Sequence, residues 1–180
     1  MAFRLVTVVL AGMLLAPVVD AQMIDEYQVK AAFLYNFAKF VEWPSESFKT
    51  SRDAIRICVL GHNPFGSFLE EAIHGKSIEG RTFAFRQVSN AEEATGCQIL
   101  FVGSSDGKRF RSLAQSLKSA GILTVGETQG FASNGGVINF KLEDGRVRFE
   151  INVDAAEHAQ LHISSKLLGL AQIVKTEKLR

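Results

Sequence analysis

The stretch that decides the fold is Val29–Pro44, VKAAFLYNFAKFVEWP, which predicts a helix with apolar side chains around more than half of its circumference. Each helical residue is rotated by about 100° from the one before it. One stripe of the predicted helix comprises Tyr27, Ala31, Leu34, Ala38 and Val41. A second stripe beside it comprises Phe33, Phe37 and Phe40. Together the stripes cover about 200°, whereas a helix that packs on a core with one face needs about 100°.

This excess of apolar surface has two interpretations. The helix is either buried on all sides within its own domain, or covered in part by a second subunit, a partner protein or a ligand. In the second case the aromatic residues are the expected contacts, because such side chains dominate interface energetics. The candidate partner or dimer contacts are Phe33, Tyr35, Phe37, Phe40 and Trp43. The helix is expected to end at Glu42-Trp43-Pro44, since proline disfavours helical geometry in the residue before it.

The first 21 residues have the features of a secretory signal peptide. Arg4 gives a positive start, Leu5–Val19 is apolar, and Val19-Asp20-Ala21 offers compact residues for cleavage. The apolar run is interrupted by glycine and proline and is short for a membrane-spanning helix. We therefore expect a mature chain, residues 22–180, that forms a single domain outside the cytoplasm.

The charge pattern argues against a nucleic-acid partner. The formal net charge is +1, and lysine and arginine are scattered along the chain. A nucleic-acid-binding domain normally concentrates them on one face.

Cys58 and Cys97 are the only two cysteines. An exported chain meets an oxidising compartment, where they can form one intramolecular bridge. Such a bridge would be worth about 4 kcal/mol at most in the chain-entropy model. Two buried thiols and an intermolecular bridge are the alternatives.

Strands and helices alternate through the middle of the chain. Apolar runs predict strands at 55–61, 81–88, 98–103 and 122–126, and helices are predicted at about 64–73 and 107–120. Asp144-Gly145 between two further strands, 135–142 and 146–152, predicts a hairpin. A last helix is expected from Asp154 or Ser164 through Val174. The pattern predicts a three-layer α/β fold with a mostly parallel sheet, helices on both faces and a C-terminal antiparallel hairpin.

The segment Gly103-Ser104-Ser105-Asp106-Gly107 matches Gly-x-Ser-x-Gly and lies between a predicted strand and helix, as a nucleophile elbow would. Asp154 and His158 or His162 follow in the order acid then histidine. These features permit a serine hydrolase. The same small and polar residues are equally typical of a turn and a helix cap.

A ligand crevice is a separate hypothesis, because ligands of open α/β sheets bind outside the carboxyl ends of the strands. That position would bring together His62, Asn63, Ser104, Ser105 and Gly126. The spacing of His158 and His162 would suit a helical metal site, but a third ligand is missing from the pattern. No metal or cofactor is expected.

Several motifs, in order and with matching spacing, resemble the YfiR-like (DUF4154) family over nearly all of residues 22–180. The motifs are Ala31–Phe40 with Glu42-Trp43-Pro44, Ile57–Gly61, Pro64-Phe65-Gly66, Cys97, Ile99–Val102, Ile122–Val125, Phe131, Gly135–Phe140, Phe149–Asn152 and Ile163–Leu168.

The resemblance implies a periplasmic α/β protein without enzyme activity. The best-known member of the family represses an inner-membrane diguanylate cyclase and so lowers cyclic di-GMP and biofilm formation. The family's shared disulfide maps onto Cys58 and Cys97. That regulator has a second cysteine pair, which this chain lacks, so a structural role for the bridge is favoured over redox sensing. The remaining alternatives are a homodimer through the first helix and a module that senses a small ligand for another membrane partner.

Overall fold

The computed structural model describes residues 19–90, 92–117 and 121–176. Within these ranges the elements are α1 (Val19–Phe37), β1 (Val41–Glu42), β2 (Ile55–Leu60), α2 (Phe68–Ile73), β3 (Ser77–Ile78), β4 (Arg81–Val88), β5 (Ile99–Val102), α3 (Gly107–Leu117), β6 (Leu123–Gly126), β7 (Ile138–Glu143), β8 (Arg146–Asn152), α4 (Val153–His158), β9 (His162–Ile163), α5 (Ser165–Leu168) and β10 (Gln172–Val174). Most of the expected signal peptide lies outside the described residues. Among the described helices, none has the length and apolarity required to span a membrane.

Eight strands form one sheet in the order β10-β8-β7-β6-β5-β2-β4-β3. Neighbouring strands from β7 to β4 run parallel, and β10 is parallel to β8. The β7–β8 hairpin and the short β3–β4 pair are antiparallel. Because α1 and α3 lie on opposite faces of this sheet, the three-layer α/β fold with a C-terminal hairpin is confirmed.

The larger core lies between the sheet and α1, α2, α4 and α5. Side chains alternate along a strand, so Ile57 and Val59 of β2 point into this core while Cys58 and Leu60 point to the other face. From α1, Ala31, Leu34 and Phe37 are fully buried in it.

The smaller core contains α3 and the disulfide between Cys58 and Cys97. Phe110 of α3 packs on Phe131, with ring centroids 4.3 Å apart. Phe131 in turn covers two glycines that carry no side chain: a Cβ atom on Gly126 or Gly136 would lie within 2.4 Å of its ring. The absence of a side chain at both positions is therefore a packing requirement of this face.

The predicted end of the first helix was wrong. Helix α1 ends at Phe37, and the N–H groups of Lys39 and Phe40 each donate to a carbonyl three residues back, which makes a tight turn. Val41 and Glu42 then pair with Ile163 and His162 as strand β1. This long-range pairing with β9 overrides the helical pattern.

The predicted last helix was also wrong. Residues 153–174 form two short helices and two short strands, not one continuous helix. The Asn152 side chain accepts from the Ala155 N–H at the start of α4, and the Ser164 side chain accepts from the Leu167 N–H at the start of α5. Two separate caps thus start two separate helices.

Candidate functional site

The aromatic residues of α1 separate into a buried group and a surface group. Phe37 is fully buried, and its ring stacks on Phe140 at 5.7 Å and meets Phe149 edge-on at 5.2 Å. Phe33 packs on the same two rings and is half-buried. The β7–β8 hairpin therefore covers this stripe, and Phe37 is a core residue and not a candidate contact for a partner.

The surface group centres on Tyr35, whose ring meets Phe83 of β4 edge-on at 5.3 Å. The ammonium groups of Lys39 and Lys76 each lie 4.3 Å from the centre of the Tyr35 ring. We call Tyr35, Lys39, Lys76 and Phe83 the Tyr35 surface. It combines an apolar body with two positive charges, which suits a partner surface that carries aromatic or acidic groups.

Phe40 and Trp43 lie further along the chain and are half-buried. The Phe40 carbonyl accepts from the Ser164 N–H at 2.9 Å, and the Trp43 indole N–H donates to the Gln98 carbonyl at 3.0 Å. Both residues are fixed in place by contacts with distant parts of the chain and retain a partly exposed edge. They remain candidate contacts together with Tyr35.

A buried polar cluster joins α1 to the carboxyl ends of β5 and β6. Lys30 forms ion pairs with Glu26, one helical turn earlier, and with Glu127, the residue after β6. The Glu127 carboxylate also accepts from the Tyr27 hydroxyl at 3.1 Å and from the Ser104 N–H at 3.0 Å. These three donors satisfy a carboxylate whose side chain is only 6% exposed.

The cluster changes the acidity of Tyr27. Burial raises the pKa of the Tyr27 hydroxyl above its ordinary value, and the negative charge and hydrogen bond of Glu127 raise it further. The phenol is thus held in its protonated form, as the donor that Glu127 requires.

A crevice of about 650 Å³ lies beside this cluster, between the middle of α1 and the β7–β8 hairpin. Its lining includes Lys30, Glu127, Ser104, Asn139 and Glu150. The Asn139 amide donates to the Glu150 carboxylate at 3.3 Å. The crevice is therefore polar and carries both signs of charge. Lys30 and Glu127 were not predicted from the sequence. The signal was available for Lys30, because it lies within the apolar stripe of α1, and a lysine at such a position indicates that a buried acidic side chain pairs with it.

The sequence-predicted crevice residues lie around the same edge of the sheet but have separate surroundings. Ser104 borders the polar crevice, and it also lines, with Ser105, a second crevice of about 320 Å³ near Phe110 and Thr128. The Asn63 side chain accepts from the Phe65 N–H and thereby forms the turn before α2. His62 is exposed.

Gly126 is buried under the Phe131 ring, which occupies the space where a ligand would have to approach it. This position makes Gly126 a packing residue of the smaller core and removes it from the candidate crevice.

The serine hydrolase arrangement does not form among the described residues. The Ser105 hydroxyl donates to the neighbouring Asp106 carboxylate at 2.8 Å, and no histidine hydrogen-bonds to it. His158 ends α4, whereas His162 lies in β9, so the two histidines are not on one helical face. Ser104–Asp106 form a single 3₁₀ turn that leads into α3.

Cys58 and Cys97 are joined, with their Cα atoms 6.0 Å apart. Both residues are buried, and the bridge connects β2 to the segment that leads into β5. Since these strands are hydrogen-bonded neighbours, the bridge reinforces a contact that the sheet already makes.

Comparison with known proteins gives one family and a set of similar folds. Residues 27–172 match the model of the family DUF4154, described as YfiR/HmsC-like. A conserved domain protein from Vibrio cholerae O1 biovar El Tor is similar in structure, with a TM-score of 0.55, 10% identity, and coverage of 84% of this chain and 60% of that one.

The ABC domain from Streptococcus pneumonia, solved in complex with L-Trp, is a more distant likeness. Its TM-score is 0.47 at 13% identity, with 66% of this chain and 55% of that chain covered. The chain thus spans somewhat more than half of each of these two structures.

Proposed function

Because this chain belongs to the YfiR/HmsC-like family, we propose that it is a periplasmic regulator that holds an inner-membrane diguanylate cyclase inactive. The family match over residues 27–172 is the observation that carries this proposal. In the proposal, a signal peptide of 21 residues directs export, and residues 22–180 act as one domain. The expected outputs of repression are lower cyclic di-GMP and less biofilm. The proposed role is binding, without catalysis and without a cofactor.

The proposed contact with the cyclase is made by the Tyr35 surface together with Phe40 and Trp43. These aromatic residues keep partly exposed edges, and rigid aromatic side chains are favoured as binding hot spots. Lys39 and Lys76 would contribute long-range attraction to an acidic sensory domain. Phe33 lies apart from this surface, because its ring packs on Phe140 and Phe149 of the hairpin, whereas Tyr35 packs on Phe83 of β4.

The proposed mechanism is a shift between two states of the cyclase. A regulator that binds the inactive state more tightly than the active state raises the population of the inactive state. A tenfold change in that preference corresponds to about 1.4 kcal/mol. Single contact residues can therefore alter repression measurably.

The test is to delete this protein and its candidate cyclase, singly and together, and to measure cyclic di-GMP. Deletion of this protein alone should raise cyclic di-GMP, and deletion of both should abolish the rise. Complementation with Tyr35→Ala should repress less than wild type, while Arg146→Ala, an exposed change on β8, should repress normally. Unchanged cyclic di-GMP after deletion of this protein alone would overturn the proposal.

A second candidate function is the sensing of a small ligand for a membrane partner. The polar crevice next to Lys30 and Glu127 favours it, because it lies at the carboxyl ends of parallel strands. Isothermal titration with pools of small polar metabolites would test this function, and a substitution at Ser133 on the crevice wall should weaken any binding detected.

A further inference from the structure

Strand β4 forms an edge of the sheet that is mostly uncovered. On one side β4 pairs with β2 from Phe83 to Val88. On the other side β3 covers only Arg81 and Thr82. Over the part of the chain that the structure describes, no strand pairs with the outer side of Phe83–Val88. Natural proteins usually protect such an edge, because its unpaired backbone groups attract another strand.

The direction of the backbone groups along β4 follows from one hydrogen bond. The Gly61 N–H donates to the Val88 carbonyl at 2.8 Å, so Val88 faces β2. In a parallel ladder, residues alternate between those that bond to one neighbour and those that face away. Phe83, Phe85 and Gln87 therefore direct their N–H and C=O groups outward, in line with the outward pairing of Arg81 with Ile78 of β3.

The side chains at this edge also lack full cover. Phe83 and Phe85 lie on the α1 and α2 face and are only partly buried. They line a crevice of about 500 Å³ whose opposite wall is the loop that includes His74 and Lys76. Arg86 lies on the opposite face and is exposed. The edge thus presents both unpaired backbone groups and apolar area.

We propose that β4 pairs antiparallel with β4 of a second copy of this chain, about a two-fold axis at Phe85. In this register Phe85 faces Phe85 of the second copy, and Phe83 faces Gln87. All of these residues have outward backbone groups, so each facing pair can exchange two hydrogen bonds. The ladder spans residues 83–87 in both copies and stops where β3 begins. The two sheets would join into one.

The positions of Arg86 and β3 favour this register over its neighbours. About Phe85, Arg86 lies opposite Ala84 of the second copy, so no like charges face each other. A shift of the axis to Arg86 would place two guanidinium groups opposite one another, which is destabilising. A shift to Ala84 would shorten the ladder, because residue 86 of the second copy would meet Thr82, which β3 already covers.

This inference does not depend on the proposed regulatory function, since it concerns the association of the chain with itself. A second copy is favoured over an unrelated peptide because the outward residues 83, 85 and 87 are placed symmetrically about Phe85, and in that register no like charges face each other. A dimer of this kind would include Phe83 of the Tyr35 surface in its ladder and would leave Lys39 and Trp43 outside it.

The experiment combines mass measurement with one cysteine added at a time to the mature protein, in which Cys58 and Cys97 remain paired with each other. Light scattering on wild type should give twice the monomer mass. Phe85→Cys should form a disulfide-linked dimer on mild oxidation, because hydrogen-bonded facing residues have Cα atoms about 5.5 Å apart, within disulfide range. Ala84→Cys is the matched control and should stay unlinked, since it faces Arg86 and not itself.

A proline variant tests the backbone bonds directly. Phe85→Pro removes an outward N–H that makes no bond within the β2–β4 ladder, and edge positions tolerate proline. It should shift the mass from dimer to monomer, while Phe85→Ala, which keeps the N–H, should remain more dimeric. If the proline variant does not fold, the comparison of Phe85→Cys with Ala84→Cys tests the proposed register. A monomeric wild type, crosslinking of Ala84→Cys in place of Phe85→Cys, or a dimer that neither cysteine links would overturn the proposal.

Discussion

The Lys30 ammonium lies 2.6 Å from the Glu127 carboxylate, although the two residues are 97 positions apart in the chain. Their side chains are 5% and 6% exposed. The pair fastens α1 to the loop after β6, and Tyr27 and Ser104 complete the bonding of Glu127. A buried pair of this kind is costly to break, because removal of one partner leaves the other charge without compensation.

Lys30→Met should therefore lower the free energy of unfolding by about 3 kcal/mol, because it leaves Glu127 buried and charged. The double variant Lys30→Met with Glu127→Gln should be more stable than Lys30→Met alone. Urea unfolding followed by circular dichroism measures both effects. Lys141→Met is the control, since Lys141 pairs with Glu143 and Glu150 at the surface, and its cost should stay below about 1 kcal/mol. Equal losses for Lys30→Met and Lys141→Met would contradict the structure.

Tyr27 should make stability depend on alkaline pH. The pKa of Tyr27 is raised in the folded state, first by burial and then by Glu127, so the folded protein holds this proton more tightly than the unfolded chain. The stabilisation of the folded protein by this tightly held proton is complete below the unfolded tyrosine pKa of about 10. It is lost as pH rises above that value, at up to about 1.4 kcal/mol per pH unit. Urea midpoints between pH 8 and pH 11 should fall more steeply for wild type than for Tyr27→Phe; parallel curves would exclude this role.

Phe37 and Tyr35 should behave in opposite ways when truncated. Phe37→Ala should cost about 3–5 kcal/mol of stability, the range for a fully buried phenylalanine, and Phe37→Asp should prevent folding altogether. Tyr35→Ala should leave the protein folded, with a much smaller cost, and should weaken partner binding. Thermal unfolding and pull-down with the cyclase sensory domain separate the two effects. A folded, non-binding Phe37→Asp variant would restore Phe37 to the contact surface.

The Cys58–Cys97 bridge should act as a structural bond. The paired variant Cys58→Ala with Cys97→Ala should lose at most about 4 kcal/mol and retain the same fold, because β2 and β5 remain hydrogen-bonded without the bridge. Since both sulfurs are buried, a mild reductant should open the bridge slowly unless denaturant is present. Thiol labelling over time measures this. Fast labelling of the native protein, with a change in partner affinity, would instead indicate a redox switch.

The six longer strands of the central sheet were predictable because each is a continuous apolar or alternating run, and 81–88 matched the structure to the residue. The ends of α1 and the whole of residues 153–174 were not. Val41–Glu42 become a strand only because they meet His162–Ile163, and Gln172–Val174 only because they add to β8. Two- and three-residue strands have no periodicity of their own, so their partners define them.

The aromatic stripe was recognised from sequence, but its division was not. The pattern gave no reason to separate Phe37, which the hairpin rings cover, from Tyr35, which meets Phe83 and two lysines. Both outcomes depend on residues far away in the chain. Similarly, the loops after β2, β5 and β6 meet at one edge as expected, whereas the ion pair that organises this edge comes from α1.

Trp43 gives the molecule a built-in optical probe. It is the single tryptophan of the chain, and its indole is bonded to the carbonyl of Gln98, the residue next to Cys97. Its emission therefore reports on one defined point, where the segment Trp43–Ser47 contacts Gln98, the residue before β5. A change in wavelength or intensity would register the docking of a partner or the opening of the neighbouring bridge without any added dye.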